Sequence, residues 1–406
     1  MKRWKIAYVL FCAVFLFSCS EESSPNKVNS SNGEYLPKMQ NADDRISMEK
    51  AVVQVKEIIA YLNEKHPSEF GSKRDVESVS FLFTGRVKSP VISAEEYKIN
   101  NISDTLAYVF NFKDSLGYVI ISFDARVESP LIAFTKQGSL VNGGTNNPGL
   151  VLYLERMEGY IIESIVKSGK TDSGARAVSS RANFPLSFSS SSRNTPVGPL
   201  LKVNWGQDAP YNNNLVAPPR QCPSGRYVTG CVATAAAQIM SHWGHPAAMG
   251  GVSYNWTLLN QNPYWFNFDT STTARNMVAH LFKQIGDGVN MQYGCDASGA
   301  TLTNLQSFLM SVGYNTPGFI NYDAWYIRNN IDAGIPVLAE GCSSTAPGCH
   351  AWVIDGYVLG HTGSYGVILM HHNWGWDGAD NGFYMSYSLK PDIYHFQNIT
   401  VSAITR

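Results

Sequence analysis

The stretch Thr229-Gly230-Cys231-Val232-Ala233-Thr234-Ala235-Ala236-Ala237-Gln238-Ile239-Met240-Ser241-His242-Trp243 decides the reading of the chain. Val232, Ala235, Ala236, Ile239, Met240 and Trp243 recur at helical spacing, which predicts a buried helix ended by Gly244 and Pro246. Cys231 falls in its first turn. Unpaired N–H groups and the positive end of the helix dipole favour an anion there, and such settings lower a thiol pKa from about 8.5 into roughly the 3.5 to 7.5 range. Thiolate is the form that attacks. Gly230 lacks a Cβ, so a substrate backbone can approach the sulfur closely. A cysteine at a helix start also serves as a packed or bridged residue, so it needs a base before it signifies chemistry.

The base candidate is His350, in the strand-like segment Gly348-Cys349-His350-Ala351-Trp352-Val353-Ile354-Asp355-Gly356 that follows Pro347. Asp355 is its nearest carboxylate in sequence, but an odd offset of five places it on the opposite strand face, which excludes it as the orienting partner. Asn373 is the better third member. It ends the next strand-like run, Tyr365 to Met370, and precedes Trp374-Gly375-Trp376. An amide oxygen can accept from an imidazole N–H and fix the ring, while an adjacent indole excludes water from that bond.

In that order, these three segments closely resemble the streptopain family of papain-like cysteine peptidases. The third of them reads His372-Asn373-Trp374-Gly375-Trp376-Asp377-Gly378. The resemblance implies an α+β papain-like domain, with a helical part bearing the cysteine and an antiparallel β part bearing the histidine. It implies Cys231 as nucleophile, His350 as base, and Asn373 with Trp374 as the support of His350. Trp205-Gly206-Gln207-Asp208-Ala209-Pro210-Tyr211-Asn212 resembles the family's oxyanion segment and points to Gln207. A side-chain amide there and the Cys231 backbone N–H would face the developing oxyanion together; one such donor is worth about 2.7 to 4 kcal/mol elsewhere. The family also implies protein and peptide substrates, a hydrophobic preference two residues before the scissile bond, an inhibitory pro-segment, and no cofactor or metal. Cys349 departs from the pattern, standing where the family usually has glycine.

Around this centre the chain divides. Met1-Lys2-Arg3-Trp4-Lys5 is basic and Ile6 to Phe17 is apolar, too short for a mature transmembrane helix but suited to a signal peptide over 1–18. Leu16-Phe17-Ser18-Cys19 resembles a bacterial lipobox, with Cys19 as the lipidation site, and Ser20-Glu21-Glu22 resembles the acidic sorting signal of surface lipoproteins. Residues 19–42 read as a flexible tether. A small α+β pro-domain is expected over 43–163, from a helix whose stripe is Met48, Ala51, Val52, Val55, Ile59 and Leu62, followed by strands at Val79 to Phe83, Leu106 to Phe112 and Tyr118 to Phe123. The serine-rich stretch 164–197, with Arg176, Arg181 and Arg193, reads as a processing linker. The peptidase domain is expected over 198–406. It holds every histidine but His66, and every cysteine but Cys12 and Cys19.

Composition narrows the function classes. The 406 residues are 44% hydrophobic and 16% charged, too little charge for a mainly disordered chain. The net charge of −1 gives no global field to recruit nucleic acid, and the mature enzyme reads as a monomer whose only membrane link is lipid on Cys19. Cys222, Cys231, Cys295, Cys342 and Cys349 are odd in number, so at least one thiol stays free in an oxidising setting. Cys342 and Cys349 are close enough to bridge a loop, or stand as unbridged small core residues. His242 and His245 lack a third ligand for a metal, and His371 and His372 alternate across a strand. Two other function classes use the same residues: a binding or inhibitor protein with an idle catalytic half, and a Cys-His acyltransferase passing its acyl group to an amine.

Overall fold

The computed structural model describes residues 44–65, 73–85, 94–127, 129–141, 143–170, 197–216, 222, 225–261, 263–264, 272–343, 348–362, 365–389 and 399–406. The signal peptide, Cys19, the tether and the Arg176, Arg181 and Arg193 sites expected from sequence lie outside these residues. The amino-terminal half supplies α1 (Met48–Lys65), β1 (Val76–Phe83), α2 (Ala94–Ile99), β2 (Thr105–Phe112), β3 (Tyr118–Ser122), β4 (Leu131–Thr135) and α3 (Pro148–Lys170). The carboxy-terminal half begins its helices with α4 (Cys231–Trp243), the short hairpin β5 (Ala248–Met249) and β6 (Val252–Ser253), then α5 (Trp256–Asn260), α6 (Thr272–Gly288) and α7 (Leu302–Ser311). Its β part follows: β7 (Ile320–Asn321), α8 (Ala324–Asp332), β8 (Val337–Cys342), β9 (Cys349–Thr362), β10 (Tyr365–Asn373), β11 (Gly382–Met385) and β12 (Thr400–Ala403).

The helical part therefore bears Cys231 and the antiparallel part bears His350, the α+β arrangement the sequence reading expects. Where the structure departs from that reading is in how the halves join. Among the described residues, all strands but the β5–β6 hairpin form one ten-stranded sheet, in the order β1-β2-β3-β4-β11-β10-β9-β8-β12-β7. The seam is β4 against β11, antiparallel, with Phe134 opposite Phe383 and their rings stacked 4.9 Å apart. An isolated β4 would present a row of unpaired backbone groups, and β11 covers that edge.

The core crosses the same seam. One buried cluster joins Leu150, Tyr153, Leu154, Met157 and Ile161 of α3 to Trp352, Trp374 and Tyr384 of the peptidase half. A second, on the other sheet face, joins Phe110 and Phe134 to Val358, Leu369 and Phe383. A third belongs to the peptidase half alone and packs α4 and α6 against Leu338, Ala351 and Val353. Tyr254 and Trp256, at the start of α5, lie in this third core.

Helix α3 continues to Lys170, past the boundary the sequence reading places at 163, because Ile161, Ile165 and Val166 extend its apolar face into the shared core. Its start is set by local chemistry. Asn147 caps it, accepting from the Gly149 and Leu150 amides through Oδ1 at 3.1 and 3.3 Å, and Pro148 occupies the first helical position, where its missing N–H costs nothing. The Asn147 amide also donates to Asp380 Oδ2 at 3.3 Å, tying the helix start to the loop after β10.

Candidate active site

Cys231 stands at the first position of α4, behind a residue only glycine suits. Gly230 has φ of 90°, and a Cβ there would lie 2.7 Å from the Ser298 carbonyl oxygen. Among the described residues Cys231 is the one free cysteine; Cys222 is bonded to Cys295 and Cys342 to Cys349. The amides of Ala351, Val232 and Cys231 itself face the sulfur and favour thiolate, but burial outweighs them and pushes the thiol pKa up. The helix-start setting expected to depress this pKa is thus overridden here by desolvation.

Gln207 is positioned by its backbone, whose carbonyl accepts from Thr229 N–H at 3.1 Å, two residues before the nucleophile candidate. Thr234 of α4 adds a second tie, its hydroxyl donating to the Gly206 carbonyl at 3.3 Å. Gln207 and Trp376 line one cavity of about 240 Å³.

His350 is held elsewhere. Successive residues of a strand point to opposite faces, and Ala351 packs on the α4 side while His350 and Trp352 point to the α3 side. The His350 ring stacks on Trp352 at 6.1 Å with a 10° interplanar angle, meets Trp376 edge-on at 6.2 Å, and donates from Nε2 to the Trp374 carbonyl at 2.8 Å. No hydrogen bond joins it to Cys231. The expected Cys231–His350 ion pair is therefore not formed in this arrangement, for a visible reason: the start of α3 covers the ring. A Cβ on Gly149 would lie 2.7 Å from His350 Cδ2 and 2.3 Å from Trp374 Cε3, so only a bare glycine fits against both.

Asn373 likewise does not orient His350 here. Its Oδ1 accepts from Gly375 N–H at 3.3 Å and its Nδ2 donates to the Val203 carbonyl at 2.9 Å. Trp374 is buried, with Nε1 donating to the Asp380 carbonyl at 3.1 Å. Asp355 pairs with His371, Nδ1 to Oδ1 at 2.6 Å, on the face away from His350. His372 faces the α3 side and accepts from Trp352 Nε1 through Nδ1 at 2.8 Å. Cys342 and Cys349 close the β8–β9 hairpin one residue from His350, opposite which sits Gly341.

Burial pushes the His350 pKa down to about 4, the hydrogen bond to the Trp374 carbonyl opposing the shift. The clamped ring is neutral. Its ordinary value is 6.5, so the unfolded or released ring takes up a proton first. The clamped state then keeps its full stability above pH 6.5 and loses it as pH falls toward 4, by about 3 kcal/mol from this group. Burial acts on His372 in the same direction. Denaturant unfolding of an unprocessed Cys231→Ala chain between pH 7 and 4 should show this loss, and adding His350→Gln should make the pH slope shallower by about one proton. Equal slopes would exclude His350 as a titrating group.

Comparison with known proteins gives these positions a family. The family model described as the peptidase C10 family matches residues 205–384, and one described as a Spi protease inhibitor matches 60–161. Streptopain of Streptococcus pyogenes serotype M1 is 28% identical over 353 residues, covering 75% of this chain and 81% of its own. The thiol protease/hemagglutinin PrtT of Porphyromonas gingivalis is 25% identical over 333 residues, covering 71% of this chain and 35% of its own. A prointerpain A fragment from Prevotella intermedia has a similar fold, with TM-score 0.53 and 24% identity, covering 73% of this chain and 94% of that fragment. Residues 205–384 thus match the C10 family and are similar to streptopain, a cysteine-type peptidase, and an inhibitor-type segment over 60–161 lies ahead of them.

Proposed function

We propose that the protein is the zymogen of an exported cysteine endopeptidase, that Cys231 is its nucleophile, and that the arrangement described above is its latent state. In the active state His350 leaves the α3 side, turns to the α4 face of β9 and takes the Cys231 proton. The thiolate then attacks a peptide carbonyl, and Gln207 with the Cys231 N–H receives the oxyanion. His350 protonates the leaving amine and next activates the water that hydrolyses the thioester. Asn373 supports the ring only once it has moved, beside Trp374, whose backbone carbonyl holds the ring in the latent state. The observation that carries this reading is the glycine contact of α3 on His350 and Trp374, which accounts for a family peptidase whose base is buried away from its thiol.

The pro-domain, 43–163 as read from sequence, acts as intramolecular inhibitor, and cleavage within 164–197 frees the peptidase domain over 198–406. Lipid on Cys19 would anchor the zymogen at the outer membrane or cell surface, and this cleavage would release the mature enzyme from it. Its substrates are proteins, with a hydrophobic side chain two residues before the scissile bond. Residues 20–406, incubated in reductant, should shorten to the size of the peptidase domain and digest casein. A labelled amine appearing in casein without hydrolysis would instead support acyl transfer. Neither reaction would leave the binding-protein reading.

A further inference from the structure

We propose that the cavity beside Gln207 is a subsite for a basic side chain, Lys or Arg, on a substrate residue flanking the scissile bond. This rests on the peptidase reading above and names part of its substrate class. The cavity, about 240 Å³, is lined by Gln207, Val228, Trp376 and three carboxylates, Asp208, Asp296 and Asp377. The three come from separate parts of the chain: the loop before α4, the loop held by the Cys222–Cys295 disulfide, and the turn after β10.

Like charges brought together need a counter-charge, and the described residues supply none. Among the described residues, neither an ion pair nor a hydrogen bond to Lys or Arg reaches any of the three. Tyr211 donates to Asp377 Oδ1 at 3.2 Å, leaving its charge uncompensated. Burial pushes the Asp377 pKa up to about 6, and the Asp208 charge raises it further, placing these two carboxylates within mutual reach. A cation entering the cavity would relieve both effects.

A second observation places the cavity at the chemistry. The Gln207 side chain, in a residue only 9% exposed, lines this cavity and has no hydrogen-bond partner among the described residues. Trp376, which also lines the cavity, meets His350 edge-on. The cavity thus opens beside the donor candidate for the oxyanion. A side chain reaching it belongs to a residue next to the bond being cut, and the indole face of Trp376 offers a guanidinium or ammonium a further favourable contact.

The test uses the self-processed wild-type enzyme and a set of internally quenched peptides in which each position around the scissile bond carries arginine or its neutral isostere citrulline. Wild type should prefer arginine at one position by about tenfold to a hundredfold in kcat/KM, the range expected for a hydrogen bond to a charged group. Asp208→Asn with Asp296→Asn, two exposed positions, should bring that ratio toward one, and Asp208→Lys should shift the preference at that position toward glutamate. An unchanged arginine preference in the double variant, or none in wild type while the peptides are cleaved, overturns the subsite. A wild-type chain that cleaves neither peptides nor casein overturns the peptidase reading and the subsite with it.

Discussion

Cys231→Ala should leave a folded chain of unchanged length, with no self-processing and with casein hydrolysis lower by about a million-fold, the loss seen when a covalent nucleophile is removed from a comparable hydrolase. The fold should survive, because the substitution removes a single half-buried sulfur whose hydrogen bonds are weak and whose partners keep their own backbone pairing. The chain has no other described thiol to take over, since the remaining described cysteines are bridged. Wild type should also react slowly with iodoacetamide before processing and quickly after it. Burial holds the thiol pKa up in the latent chain, and an incoming His350 would bring it down. Circular dichroism, gel mobility and casein release check the three parts. A Cys231→Ala chain that still processes itself would assign the chemistry to another group.

What sequence could reveal here follows from range. The α4 helix and its cysteine were legible because a 3.6-residue period and the Gly230 signal lie within a few residues of each other. The exclusion of Asp355 as partner of His350 needed only strand parity, and the structure turns that carboxylate to His371 instead. The same parity places Ala351, not His350, on the Cys231 face, a consequence hidden until the register of β9 was known. Helix α3 was legible in principle: Asn147-Pro148 is a capping signature, and Leu150, Tyr153, Leu154, Met157, Ile161 and Ile165 keep helical spacing. Its role was not, since the contact of Gly149 with His350 and Trp374 depends on a sheet seam between β4 and β11 that leaves no local trace in either strand. The acidic cavity escaped for the same reason, its carboxylates being scattered along the chain and gathered only by loops.

If α3 holds the base away from the thiol through a contact that tolerates no side chain, then Gly149→Ala should speed self-processing by about tenfold to a hundredfold. The added methyl must displace either the helix or two aromatic rings. Trp374 cannot yield readily, because it is buried, bonded through Nε1 to the Asp380 carbonyl, and packed between His372 and Tyr384 at 4.7 and 5.4 Å. The helix is held at its start by Asn147 to Asp380 and two turns on by the Ser343 hydroxyl to Glu155 Oε1 at 2.6 Å, so it cannot slide without breaking polar contacts. Overpacking of this kind costs about 1 to 3 kcal/mol, and each 1.4 kcal/mol is a factor of ten in the open population. The cost falls on the clamped state alone, because the contact vanishes once α3 lifts and His350 turns. The processed enzyme made from Gly149→Ala should therefore match wild type in casein hydrolysis while the precursor is consumed faster, a division that a general folding defect would not produce. Time courses of precursor loss, started at equal concentrations of folded chain, read the effect directly. Equal rates for Gly149→Ala and wild type would show that the base is kept from the thiol by something other than α3.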